Sequence, residues 1–443
     1  MTGLALRSLR HRPAAATATF VAVLLGTALI GTFATFVESA LHLHGEDRTS
    51  LIVMGAVVGG WGALIVLYSV ASTAGITATQ RTAETSLLRV VGATPRQVRR
   101  LIGREVLVVS LLAAAGGSAV AAVAGRVLFG ALRDGGMVSD GARFGGGPAS
   151  VAAAAGLVVL TSCLAAWIAG LRATRPSAVA ALRAAEIEPR GMHWWRAVVG
   201  GLLIAYGVGA AVVTLTVTRH SADPYDAMST CGAASIYAGV GMAVLAPWLL
   251  RRFSAPVAAL VGRTASGHLA AHNAARRSHL LAGVLAPVIV LTSGAIGTLM
   301  LVGIDNRTMH DPAQRADGRL INMLNYVVTG MISLFAAIVV VNAFAAVVAH
   351  RRTELRRLRL VGATRAQVRS SVVAEAGIVA AVGIVLGTLG SLTTVVPFAV
   401  VRHEGLVPDG QLWLPPAVAA AVVLLTLVSA RASVQRATRE LAG

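Results

Sequence analysis

The residues best suited to chemistry come in two matching sets. Glu84, Leu88, Arg89, Gly92, Thr94 and Gln97 recur as Glu354, Leu358, Arg359, Gly362, Thr364 and Gln367 at one constant offset. Neither set pairs a nucleophile with a base, and neither gathers metal ligands, so no catalytic residue is expected. What these types offer is mechanical: a glycine that ends one helix, a threonine that caps the next, and a glutamine three residues on that closes a capping box. Two further carboxylates correspond, Glu105 and Glu375, each where an apolar run begins. A carboxylate there is costly unless paired. Helix-anchoring pairs with nearby arginines are the expected role, with proton coupling as the alternative.

Other constellations are weaker. The stretch from His42 to Asp47 has two histidines and two acids on a polar loop, a pattern more often solvated than metal-binding, and no metal site is expected. Cys163 and Cys231 lie in apolar runs and read as small core residues. The spacings Gly55/Gly59 and Gly383/Gly387 fit close helix contacts. Asn342, deep in an apolar run, needs a hydrogen-bonding partner in a helix bundle. No G-x-x-x-x-G-K-[ST] loop occurs, so the chain carries no nucleotide-binding motif of its own.

The elements that must position these residues are membrane helices. With 56% hydrophobic and 13% charged residues, the chain is too apolar for an ordinary soluble protein. Ten runs are long enough to span: about 14–37, 51–78, 106–131, 150–170, 196–217, 231–250, 280–303, 325–349, 376–400 and 413–430. The first is too long for the core of a signal peptide. Every basic residue is an arginine, and alternate loops hold 29 of the 38. By the positive-inside rule those loops and both termini are cytoplasmic. Charge spread over six loops is a topology signal, which argues against nucleic-acid binding despite a net charge of +19. Segments 3–12 and 265–278 read as interfacial amphipathic helices.

The repeat extends beyond the two residue sets. The 37 residues from Arg81 align without gaps to those from Arg351, and the stretch at Leu4 echoes that at Leu269. The chain therefore divides into 1–183, a two-helix insert at 184–262, and 263–443. Both copies enter from the same side, which makes this a parallel repeat. From Ile76 to Val91 there is neither glycine nor proline, so the second run should continue as one helix from Leu51 to Val91. At 1.5 Å per residue that is on the order of 60 Å, twice the roughly 30 Å hydrocarbon core. A second such helix is expected from Asn325 to Val361. Each would be a stalk leaving the membrane, turned back by a glycine elbow.

The pattern Glu–x3–Leu-Arg–x2–Gly-Ala-Thr–x2–Gln-Val-Arg resembles the cytoplasmic loop of the FtsX-like permeases, the membrane subunits of MacB-type and BceB-type ABC transporters. The segment from Arg175-Pro176 to Ala181-Leu182-Arg183 is similar to the one following their fourth helix, with Ala180 and Ala181 where an acid stands. The resemblance implies an all-α integral membrane fold. Ten transmembrane helices would form two parallel four-helix FtsX-like repeats joined by a two-helix insert, with long cytoplasmic stalk helices. It implies that the loops around Gly92 and Gly362 couple to two copies of a cytoplasmic ABC ATPase, which would bring the ATP and Mg. The chain would sit in the plasma membrane, among lipid, and export hydrophobic or amphipathic molecules such as peptides, lipids or antibiotics by mechanotransmission. A signalling module that senses membrane-active peptides or controls cell-wall hydrolases is the alternative, and an ATP-independent secondary transporter is a third. The large extracellular domain of MacB-type and BceB-type subunits has no counterpart: the longest outer loops span about 304–324 and 132–149.

Overall fold

A computed structural model describes residues 13–60, 91–134, 138–174, 194–221, 224–261, 278–308 and 351–440, with scattered positions at 63–73, 267–273 and 326–348. Its regular elements are all helical. Eight helices among the described residues are long and apolar enough to cross a membrane. They coincide with eight of the ten runs. The other two, 51–78 and 325–349, lie partly outside the described residues, and their described positions are all helical. The segment 3–12 also lies outside.

The chain forms two compact units, Met1–Glu188 and Pro189–Gly443. In the first, α1 (Pro13–Ala40) packs on α3 (Pro95–Asp134) and α4 (Pro148–Thr174), and the short α2 (Gly45–Val53) leads into a π-helical turn at Met54–Val58. Small residues set these distances. A methyl group on Gly117 would meet the Leu24 carbonyl and Thr27, and methyl groups on Gly55 and Gly59 would meet Val37 and Phe33. Backbones this close are how membrane helices gain dispersion contacts where lipid offers no hydrophobic drive.

The second unit contains α5 (Trp194–Thr216), α6 (Pro224–Cys231), α7 (Ala234–Val244), α8 (Ala246–Val261), α9 (Ser278–Thr308), α10 (Arg352–Leu360), α11 (Arg365–Val401) and α12 (Leu414–Glu440). Helices α9 and α11 form its centre, sharing a core of Leu285, Val288, Ile289, Val379 and Val382. Gly387 sits against Ile289 and Thr292, just as Gly117 sits against Leu24 and Thr27. Gly383 closes on Val288 in the same interface. Both GxxxG spacings thus serve packing. Asn342 is buried and has a partner.

Three of the expected helices differ from expectation. The run at 231–250 breaks into α6, α7 and α8. The Thr394 hydroxyl of α11 donates to the Cys231 carbonyl (2.7 Å) and accepts from the Ser235 N–H (2.9 Å), so it stands where those two groups would bond each other. A side chain inserted into the helical ladder is a recognised cause of a break. Ser293 of α9 then satisfies the Ser235 carbonyl at 2.6 Å. The stalks are also less uniform than a single continuous α-helix: the first contains the π-helical turn, and the second has a turn at Arg351. Helical bonding still runs through that turn, from Arg351 N–H to the Val347 carbonyl and from Leu355 N–H to the Arg351 carbonyl.

Candidate coupling elbows

Each elbow begins where a helix must stop. Gly92 and Gly362 both have φ of +105°, a region that penalises any side chain, and a methyl group on either would meet nothing within 4 Å. Backbone conformation therefore selects glycine here, and crowding does not. At the second elbow the Ala363 N–H donates to the Leu358 carbonyl (3.0 Å) and the Gly362 N–H to the Arg359 carbonyl (3.1 Å). That is a Schellman ending, and its usual apolar contact is supplied by Leu358 and Ala363, both packed on one cluster.

The next helix starts at once. The Gln367 N–H donates to Thr364 Oγ1 (3.2 Å), while the Thr364 N–H donates to Gln367 Oε1 (2.8 Å). Thr94 and Gln97 make the same reciprocal pair at 3.3 and 2.8 Å. Pro95 occupies the first helical position of α3, where its missing N–H costs nothing. The re-entering helices are long, 40 residues for α3 and 37 for α11. At 1.5 Å per residue each exceeds a roughly 30 Å hydrocarbon core by more than 20 Å.

Apolar contacts seat each elbow. Val98, Ile102 and Val106 pack on Ala166 and Ala169 of α4; Leu355, Val368 and Val372 pack on Val434 of α12. Burial follows one pattern over 91–100 and 361–370: ten positions, and the class agrees at each. At the tips apolar side chains face outward, with Val91 87%, Val361 88% and Leu360 79% exposed.

The second elbow also holds a charge triad of which two members, Arg351 and Glu375, are buried. Arg351 is 5% exposed and bonds Glu375, which is 1% exposed, and Glu354 (Nε to Oε2, 3.2 Å). Asn273 donates to the other Glu375 oxygen at 2.8 Å. One guanidinium thus ties the end of the stalk to the start of α11. Burial pulls the Arg351 pKa down, and the carboxylates of Glu375 and Glu354 outweigh it, leaving Arg351 above its ordinary value. Glu105 is likewise 2% exposed. Glu84, Leu88 and Arg89, with Arg81, lie outside the described residues.

The FtsX-like permease C-terminal family matches residues 56–178 and 326–441, more than half of the chain, and each segment contains one elbow. The chain belongs to the FtsX-like permease family. No curated protein matches it. As an FtsX-like permease it is a multi-pass membrane protein of a family that supplies membrane subunits to ABC transporters; such subunits are generally non-enzymatic, and the family implies an ABC ATPase partner.

Some residues of this FtsX-like permease were not singled out from sequence. Asn273 carries no motif. At the end opposite the elbows, Arg307 grips Glu404 with two bonds (3.0 and 2.9 Å) and Arg402 pairs with Asp305 at 2.7 Å. The available signal was the mirrored order of Asp305-x-Arg307 and Arg402-x-Glu404. In the first unit the corresponding region is joined differently: Glu38 accepts from the Gly147 and Ser150 N–H groups at the start of α4, and Asp47 accepts from the Ser139 N–H.

Proposed function

We propose that this chain is the permease subunit of an ATP-driven exporter of hydrophobic or amphipathic molecules, worked by mechanotransmission. The observation that carries the proposal is the matched pair of elbows. A left-handed glycine and a capping box make a turn with few alternative conformations, seated on an apolar cluster and presenting an exposed valine. A partner that docks on such a tip moves the long re-entering helix with it.

Two copies of a cytoplasmic ATPase then seat on Val91 and Val361, one at each elbow, and supply ATP and Mg. Ten spans complete the plan, the runs at 51–78 and 325–349 being the two stalks. They form two parallel four-helix repeats about the insert of α5 to α8, with elbows and termini in the cytoplasm. The arginine asymmetry supports that orientation, and the equivalent approaches of Gly117 and Gly387 support the repeat. In this plan Glu105 and Glu375 anchor the re-entering helices.

The test is to purify the chain with its ABC ATPase partner and introduce Val91→Cys and Val361→Cys for disulfide trapping against cysteines on the ATPase surface. Crosslinks at both positions that change with nucleotide, together with ATP-dependent movement of a lipophilic probe in vesicles, are expected. Crosslinks without any probe movement would leave the docking intact and overturn export. No crosslink at either tip overturns the coupling role itself.

A further inference from the structure

The first unit has a cavity of about 440 Å³ between α1, α3 and α4, at the end away from the elbow. That volume falls within the ~300–1,000 Å³ of small-ligand sites. Its walls are mostly apolar or small, including Thr35, Ser118, Ala122, Pro148 and Val151, and a single charged side chain, Arg126, lines it. The face of α3 beside it is apolar and exposed at Val120, Val123 and Val127. The N-terminus of α4 adds no free positive pole, because Glu38 already accepts its N–H groups.

Arg126 stands out by its position. It is exposed, lies 5.7 Å from the Phe144 ring centre, and makes no ion pair among the described residues. Along α3 it is on the order of 30 Å from the buried Glu105, about one hydrocarbon thickness. If Glu105 marks one boundary of the apolar layer, Arg126 stands at the other, where lipid phosphates lie. A guanidinium binds phosphate through two parallel N–H bonds, and the apolar walls accept the chain beneath.

We propose that this cavity binds an anionic phospholipid, its phosphate on Arg126 and an acyl chain against Ala122 and Val151. The proposal rests on the membrane-spanning character of α3 and not on transport, so binding is measurable without an ATPase. Native mass spectrometry of the purified full chain, with phosphatidylglycerol and phosphatidylcholine offered together, is the experiment. Wild type should retain phosphatidylglycerol about tenfold over phosphatidylcholine, because the choline cation of the latter offsets the phosphate charge that Arg126 meets, and Arg126→Lys, which keeps the charge without the fork, should keep part of that preference. Arg126→Gln should lose that preference, and Ala122→Leu, which fills the cavity, should lower retention of both lipids. Unchanged preference in Arg126→Gln overturns the site. So does a wild-type dimer that is lost in Arg126→Gln, since a second copy would then occupy the face. Should Arg126→Gln fail to fold by its helix content, Ala122→Leu decides: undiminished phosphatidylglycerol retention there rejects the cavity.

Discussion

The elbow ends and the opposite ends of the same helices obey different rules. At the elbows the two copies share a left-handed glycine, a capping box and one sequence of buried and exposed positions. At the opposite ends they share little. The second unit is clasped by two arginine–carboxylate pairs, whereas the first is closed by Glu38 on the backbone of α4. On the proposed reading, a turn that docks on the same partner twice is held to one geometry. An end facing another environment has only to satisfy its own polar groups, and many side-chain sets do that.

Four sets of variants test this contrast. The largest effect is expected from Arg351→Met, which strands Glu375 as a buried carboxylate and should destabilise the second unit by about 3–5 kcal/mol. Thermal unfolding in detergent would show it, and the double variant Arg351→Met/Glu375→Gln should recover much of the loss. If the single variant is as stable as wild type, the triad does not hold the elbow.

Gly92→Val and Gly362→Val come next. Forcing a β-branched residue to φ near +105° costs roughly 1–3 kcal/mol, enough to shift the elbow's conformation by about tenfold. Transport per ATP should fall in both variants while membrane insertion is unchanged. A defect in one copy alone would show that the elbows, though alike, do unequal work.

Thr394→Val removes the hydroxyl between Cys231 and Ser235 and leaves a buried carbonyl and N–H without their bridge. A loss of about 1–3 kcal/mol is expected in the second unit, unless α6 and α7 re-form one ladder, which a structure of the variant would reveal. The smallest effect belongs to the caps. Thr94→Ala and Thr364→Ala should each cost about 1 kcal/mol, and hydrogen exchange should report equal fraying at the starts of α3 and α11. Unequal fraying would break the equivalence of the elbows at its most local level.

Much of this was written in local sequence. Apolar runs placed eight spans, because a helix must satisfy its own backbone in lipid and betrays itself by length alone. Gly92, Gly362 and the Thr–x–x–Gln spacings announced the elbows, because a left-handed glycine and a capping box involve only residues within one turn of each other. Glu375 was legible as a carboxylate in need of a partner. Its partners Arg351 and Asn273 stand 24 and 102 residues away, and the second has no motif. The break at Ser235 could not be foreseen, since its cause, Thr394, is 159 residues distant. The clasp of Arg307 on Glu404 left only a mirrored order of charges in the sequence and the cavity at Arg126 left none, since both exist only where separate helices meet. Signals confined to one helix survive in the order of residues; those made by two helices depend on which faces pack, and packing alone decides that.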